Sequence, residues 1–90
     1  MLTVTPNAAE AIHDLVAKYP GTGLRIWPRF RDGNRVRFGL ELSDRPAPTD
    51  QVIEEHGSQV FLDEQVAPLL DGGILDVRVT NEHVAFKLLR

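Results

Sequence analysis

Residues 23–43 read GLRIWPRFRDGNRVRFGLELS, and this stretch decides the fold class. Apolar and polar residues alternate on both sides of the turn sequence Asp32-Gly33-Asn34. Alternation of period two predicts half-buried strands, and two such runs around an Asp-Gly turn predict a β-hairpin. Pro28 has no amide hydrogen to donate to a neighbouring strand, so we expect an edge or a bulge at that position.

The same hairpin concentrates positive charge. Residues 24–38 hold five of the ten Lys and Arg residues of the chain but only one of its thirteen Asp and Glu residues. The segment has a net charge of +4 in a chain whose formal net charge is −3. In the predicted register, the five arginines and the single tryptophan lie on the face opposite Ile26, Phe30, Val36 and Phe38. The six residues of this arginine face are Arg25, Trp27, Arg29, Arg31, Arg35 and Arg37.

Two interpretations of this face remain open. Arginine pairs with carboxylates and phosphates and stacks on aromatic rings, which makes the face a candidate surface for a protein partner or an anion. Alternatively, the face is merely solvated or is neutralised by Glu41, Glu54 and Glu55 of the same chain. Nucleic acid is not expected as a ligand, because the chain is acidic overall whereas nucleic-acid-binding domains are typically basic.

The elements around the hairpin complete an α+β pattern. A helix is predicted to start at Thr5-Pro6, where Thr5 can cap it and proline suits the first helical position, and to end at Pro20-Gly21. A second hairpin is predicted at residues 52–62 around His56-Gly57. A short helix from Asp63 through Leu70, shortened or bent by Pro68, should follow. The last hairpin covers residues 74–88, with a turn at Thr80–Glu82.

Composition limits what this chain can be. Ninety residues make a single small domain, 1–90, and 42% hydrophobic with 26% charged residues is typical of a soluble globular protein. The absence of cysteine excludes disulfides, a thiolate nucleophile, a Cys-ligated zinc site and an all-Cys iron–sulfur cluster. No apolar run approaches the ~20 residues that span a bilayer, and no export signal opens the chain. We therefore predict a cytoplasmic location and no membrane association.

The sequence contains no motif typical of catalysis, of cofactor binding or of metal binding. The serines lie outside any nucleophile-elbow motif, and no glycine-rich phosphate loop precedes a helix. The histidines, His13, His56 and His83, show no metal-ligand spacing and are predicted to lie at the surface. We therefore expect no enzyme, no bound cofactor and no metal site.

Short segments along nearly the whole chain resemble the HesB/IscA-type family of iron–sulfur carriers, also called A-type carriers. Their order and spacing, nearly free of gaps, follow the pattern of that family. The segments are Leu2-Thr3-Val4-Thr5, Gly23-Leu24-Arg25-Ile26, Leu40-Glu41-Leu42, Asp50-Gln51-Val52-Ile53-Glu54, Val60-Phe61-Leu62-Asp63, Leu70-Asp71-Gly72-Gly73 and Phe86-Lys87-Leu88. The resemblance implies a HesB-like α+β domain of mostly antiparallel β-hairpins, with one N-terminal helix and one short later helix.

The same resemblance indicates which ligand residues of the family this sequence does not contain. Classical members bind iron or a cluster through one cysteine in the turn of the first hairpin and a Cys-Gly-Cys pair in a C-terminal tail. The first position falls at about Gly33, and the pair would lie beyond Arg90. We therefore expect a domain related to iron–sulfur cluster assembly that cannot ligate a cluster through cysteine. It would act by contacting a partner protein that the sequence does not identify, and the resemblance also implies a homodimer.

Overall fold

The computed structural model describes residues 1–81 and 83–89. Glu82, in the predicted last turn, and Arg90 lie outside the described residues. The α+β class is confirmed, with a single helix and seven strands among the residues described. The elements are β1 (Thr3–Val4), α1 (Pro6–Lys18), β2 (Gly23–Asp32), β3 (Arg35–Ser43), β4 (Gln51–Glu55), β5 (Ser58–Leu62), β6 (Ile74–Val79) and β7 (Val84–Leu89).

The strands form two mixed sheets. A four-stranded sheet has the order β3-β2-β5-β4, and a three-stranded sheet has the order β1-β6-β7. The three predicted hairpins are present as the antiparallel pairs β2–β3, β4–β5 and β6–β7. Two parallel pairings, β1 with β6 and β2 with β5, join these hairpins, and local sequence patterns did not predict them.

Helix α1 begins as predicted. The Thr5 hydroxyl accepts a hydrogen bond of 3.1 Å from the Ala8 amide, and Pro6 occupies the first turn. The same hydroxyl donates to Asp76 Oδ1 at 2.8 Å, which ties the start of the helix to β6. Tyr19 caps the other end and is mostly exposed, so it does not extend the buried face of the helix.

A run of turns replaces the predicted second helix after Asp63. Asp63 does act as a cap, because its side chain accepts a hydrogen bond of 2.8 Å from the Gln65 amide. Its carbonyl accepts from the Val66 and Ala67 amides at 2.9 and 3.0 Å. Pro68 then has no amide hydrogen for the next helical bond, and its ring crowds the carbonyl four residues earlier. The helix prediction was therefore wrong for this segment.

The core lies where α1 and the two sheets meet. Its largest fully buried side chains include Leu2, Ile12, Ile26, Leu62 and Leu75. Ile12 lies on α1, Ile26 and Leu62 lie in the four-stranded sheet, and Leu75 lies in the three-stranded sheet. Burial of this kind, at about 25 cal/mol per Å² of apolar surface, supplies the main force for folding in a chain without disulfides. No helix of the described residues is long and apolar enough to cross a membrane.

Candidate functional site

The hairpin of β2 and β3 contains all six residues of the arginine face. Its register shifts between Pro28 and Phe30. Pro28 lies opposite Phe38, and Phe30 lies opposite Arg37, so that Arg29 is the extra residue of a β-bulge. The irregularity that Pro28 predicted is therefore present, directly after the proline.

The bulge changes which side chains share a face. Directly opposed residues of an antiparallel pair point to the same side of the sheet. Arg31 lies opposite Val36 and so points away from the other paired arginines. The charged and aromatic side chains that do share one face are Arg25, Trp27, Phe30, Arg35 and Arg37, together with the acids Asp32 and Glu41. The prediction that all five arginines lie opposite Phe30 was wrong, because the extra residue inverts the alternation in the rest of β2.

Arg25 is held by two carboxylates of the same chain. Its Nε and Nη2 atoms donate to the two carboxylate oxygens of Asp50 at 2.8 and 3.1 Å. Nη2 also donates to Asp63 Oδ2 at 3.1 Å. The Arg25 side chain is 18% exposed and that of Asp50 only 1%. This bidentate, largely buried arrangement makes Arg25 a structural residue, because few of its donors remain for an outside ligand.

The electrostatics of this cluster follow from the hydrogen bonds. The Arg25 guanidinium and then the Ala47 amide stabilise the charged form of Asp50, so the pKa of that carboxyl is below its ordinary value although burial opposes the shift. The pKa of Arg25 is raised, chiefly by its hydrogen bonds to Asp50. Arg25 and Asp50 are therefore both ionised at neutral pH.

The sequence suggests Glu41, Glu54 and Glu55 as carboxylates that could neutralise the arginine face. The ion pairs of Arg25 are instead with Asp50, which directly precedes β4, and with Asp63, which directly follows β5. These carboxylates reach Arg25 because β5 pairs in parallel with β2, with Arg25 opposite Phe61. No local signal in the sequence indicates that pairing, so the partners could not have been found from residue spacing.

Trp27 lies against the bare backbone of Gly39, its partner across the hairpin. A Cβ atom on Gly39 would lie 2.6 Å from Cζ2 and 2.9 Å from Nε1 of the indole. Only glycine leaves room for the ring in this position. The indole Nε1 is buried and has no hydrogen-bond partner among the described residues. Trp27, which the sequence places on the arginine face, is thus half-buried by its own hairpin.

A groove remains near the tip of the hairpin. Arg29, Phe30, Arg37 and Phe38 line it, with a volume of about 750 Å³. Phe30 is 55% exposed, and both arginines are exposed. Within the described part of the chain, neither arginine forms an ion pair. Two guanidinium groups without a counter-ion can bind a carboxylate or phosphate group. The exposed aromatic ring beside them can stack on a planar or cationic group of a ligand.

Gly33, in the turn of this hairpin, has no side chain that could bind a metal. Gly33 has a φ of 56° and is exposed, and a Cβ atom there would meet no other group within 4 Å. His13 lies on α1, His56 in the turn between β4 and β5, and His83 just before β7; all three are exposed. Among residues 1–81 and 83–89, no group of three His, Asp or Glu side chains is arranged to hold a metal ion.

Comparison with known proteins agrees with this architecture. The sequence pattern of the iron–sulphur cluster biosynthesis family matches residues 1–88. The chain belongs to the iron–sulphur cluster biosynthesis family. An uncharacterised protein of Cereibacter sphaeroides, from the nifU 5′ region, is 31% identical over 96% of this chain and 83% of its own length.

Two named relatives are similar over most of the chain. The iron–sulfur cluster assembly protein SufA of Escherichia coli is 34% identical over 83% of this chain but only 62% of its own length. The crystal structure of SufA gives a TM-score of 0.85 at 31% identity, covering 97% of this chain and 77% of that one. A crystal structure of IscA with the [2Fe-2S] cluster gives a TM-score of 0.79 at 25% identity, covering 98% and 83%.

This member of the iron–sulphur cluster biosynthesis family has the fold of its solved relatives. Its ninety residues contain no cysteine. The turn position at which the resemblance places the first ligand is Gly33, which has no donor atom in a side chain. Beside that turn stand the exposed groove residues Arg29, Phe30 and Arg37.

Proposed function

We propose that this chain is a non-catalytic accessory domain of iron–sulfur cluster assembly that contacts a partner protein and holds no cluster of its own through thiolates. One observation supports the proposal above all others: the family pattern extends over residues 1–88 of a chain without cysteine. Iron–sulfur clusters are bound mainly by cysteine thiolates, and the described histidines and carboxylates offer no alternative cluster of ligands.

Anaerobic reconstitution with iron and sulfide tests the first half of this proposal. We expect no cluster absorbance and no stoichiometric iron or acid-labile sulfide after desalting. IscA, whose structure with a [2Fe-2S] cluster is known, serves as the positive control in the same experiment. A stable, stoichiometric cluster spectrum on the wild-type chain would overturn the proposal.

The arginine hairpin is the surface we propose for the partner. After Arg25 is excluded by its ion pairs, the exposed positive residues of the hairpin are Arg35 and Arg37 on one face, Arg29 in the bulge beside the same groove as Arg37, and Arg31 on the opposite face. A cationic surface selects an acidic protein surface, through attraction that falls as salt increases. The partner is therefore expected to present carboxylates, and a cytoplasmic location remains part of the proposal.

A second candidate function is a small anion-binding module, favoured by the groove of Arg29, Phe30, Arg37 and Phe38. Polyglutamate and inorganic polyphosphate are suitable probes, titrated at low and high salt. Arg29→Glu with Arg37→Glu should abolish binding, whereas the matched pair Arg45→Glu with Arg78→Glu, exposed residues outside the hairpin, should retain it. If the wild-type chain binds neither probe at low salt, the anion-binding function is wrong.

A further inference from the structure

A second groove lies between α1 and the hairpin of β6 and β7. Ala11 and Leu15 line it from α1, and Val77, Val79 and Val84 line it from the hairpin. Its volume is about 540 Å³, within the usual range of ligand pockets. We call it the helix groove. It shares no residue with the groove of the arginine hairpin, and the function proposed above does not depend on it.

The apolar face of the β6–β7 hairpin is only partly covered within this chain. Val77 lies opposite Phe86 and Val79 opposite Val84, so the four side chains point to one face. Leu75, on the same face, is fully buried, and Val77 and Phe86 are half-buried. Val79 is 65% exposed and Val84 46%. The far end of a face that begins in the core is therefore left in contact with water.

The rim of the helix groove on α1 is acidic. Its exposed polar residues are Asn7, Glu10, Asp14 and Lys18. Glu10 and Asp14 are four residues apart, which makes them neighbours on the helix surface, where like charges repel. Neither forms an ion pair with any other residue described. Lys18 lies in the last turn of α1, where a positive charge is stabilised by the helix dipole.

We propose that the helix groove binds a basic amphipathic helix of a partner protein. Apolar side chains spaced three or four residues apart on that helix contact Val79 and Val84. A lysine or arginine on the same helix supplies the counter-ion that Glu10 and Asp14 lack. The charge of this rim thus selects a basic segment, whereas the arginine hairpin selects an acidic one.

The shape of the groove favours a helix over a strand. A helix satisfies its backbone hydrogen bonds internally, whereas a strand laid on the face of a sheet leaves its own unpaired. Packed helices have axes about 8–10 Å apart, and small side chains at the contact allow the closer distances. Ala11 is such a residue on the groove side of α1. A second helix beside α1 would cover the exposed end of the hairpin face.

Two designed peptides of about 18 residues, long enough to be helical, test the proposal. Both contain alanine with leucine at the same helical positions, and they differ in carrying lysine or glutamate at the polar positions. Fluorescence anisotropy at low salt should show that the wild-type chain binds the lysine peptide at least about tenfold more tightly. The amide NMR shifts that it causes should lie in α1 and the β6–β7 hairpin. Binding of neither peptide, equal binding of both, or shifts elsewhere would overturn the proposal.

Charge reversal tests the acidic rim. Glu10→Lys with Asp14→Lys should reverse the preference, so that the glutamate peptide binds more tightly than the lysine peptide. Asp44→Lys with Glu64→Lys changes the net charge equally at exposed positions outside the groove, and should keep the wild-type preference. Circular dichroism verifies that both variants are folded. A preference that is the same in both double variants would show that only net charge matters, and the proposed site would be wrong.

The apolar contact is tested by Val79→Gln, at a side chain that the fold leaves exposed. The affinity for the lysine peptide should fall by about tenfold, because the apolar surface that the peptide covers is lost. Val52→Gln is the matched control, since Val52 is 44% exposed on β4, outside the groove, and should bind like the wild type. Wild-type affinity in Val79→Gln would contradict docking in this groove.

Two further measurements separate this proposal from its alternatives. If the wild-type chain associates in sedimentation velocity and Val79→Gln abolishes that association, a second copy occupies the groove and the partner-helix proposal is wrong. Arg29→Glu with Arg37→Glu should still bind the lysine peptide, although it loses polyglutamate. Glu10→Lys with Asp14→Lys should still bind polyglutamate. Failure at one surface thus leaves the proposal for the other intact.

Discussion

The guanidinium of Arg25 holds the carboxylate of Asp50 through two hydrogen bonds of 2.8 and 3.1 Å, across 25 residues of sequence. This contact fastens β2 to the loop that precedes β4. Asp63, at the end of β5, accepts a further bond from the same guanidinium. Arg25, which the sequence places on a candidate binding face, therefore stabilises the four-stranded sheet instead.

Arg25→Ala should lower the free energy of unfolding by about 3 kcal/mol, because it leaves the buried carboxylate of Asp50 without its counter-ion. Urea denaturation at neutral pH measures the change. The control is Arg45→Ala, because Arg45 is exposed in the loop between β3 and β4. This substitution should lower the free energy of unfolding by less than about 0.5 kcal/mol. Equal effects of the two substitutions would contradict the structural role of Arg25.

Stability should decrease as the pH falls into the acid range, and Asp50 should contribute to the decrease. Its pKa in the folded chain is below the ordinary value of 3.8, chiefly because of Arg25, so the unfolded chain binds the proton more tightly. The contribution is therefore complete above the ordinary pKa and is lost as the pH falls through it toward the folded one.

Comparison of the wild type with Asp50→Asn measures this contribution. The difference between their free energies of unfolding should be largest at neutral pH and should shrink at pH values below the ordinary pKa of the carboxyl. Urea denaturation at a series of pH values provides the data. A difference that is constant with pH would show that the charge of Asp50 does not stabilise the fold.

Gly39→Ala should displace the indole of Trp27, because the added Cβ would lie 2.6 Å from Cζ2. The expected cost is about 1–3 kcal/mol, typical of a side chain forced into occupied space. Trp27 is the only tryptophan, so the intrinsic fluorescence of the chain reports its environment directly. Gly33→Ala, where a Cβ meets no other group, should leave the spectrum unchanged despite its positive φ. An unchanged emission spectrum in Gly39→Ala would refute the packing described for Trp27.

Thr5→Ala should destabilise the chain by about 1–2 kcal/mol, because Thr5 caps α1 and also donates to Asp76. Thermal melting followed by circular dichroism measures the effect. Thr3→Ala, at an exposed position of β1, is the matched control. Thr5→Ser, which keeps both hydrogen bonds, should recover most of the loss; failure to recover would assign the effect to the lost methyl group.

Local patterns predicted the parts of the fold that depend on neighbours in sequence. Alternating residues and the Asp32-Gly33 turn gave the first hairpin, and Thr5-Pro6 marked the start of α1. They failed at Pro68, where a single missing amide hydrogen interrupts the helical hydrogen bonds, and at Arg29, where a bulge inverts the faces of β2. Both failures arise from a single residue that changes the geometry of the residues after it.

The candidate site was only partly predictable for the same reason. The concentration of arginine in one hairpin is a property of sequence, as is the absence of cysteine. The sequence does not indicate which of these arginines remain available to bind a ligand. Arg25 is neutralised by Asp50 and Asp63, while Arg29 and Arg37 border an open groove. That division follows from contacts between residues that are distant along the chain.

The sequence by itself determined the α+β class, the three hairpins, the family and the absence of cysteine from these ninety residues, because these depend on residue type and short-range periodicity. Only the tertiary structure decided the parallel pairing of β2 with β5, the ion pairs of Arg25, the packing of Trp27 on Gly39 and the position of β3 at a sheet edge. The strand order is the one that buries all the apolar faces of the elements at once. No local pattern in the sequence indicates which strands are then neighbours and which strand lies at the edge of a sheet.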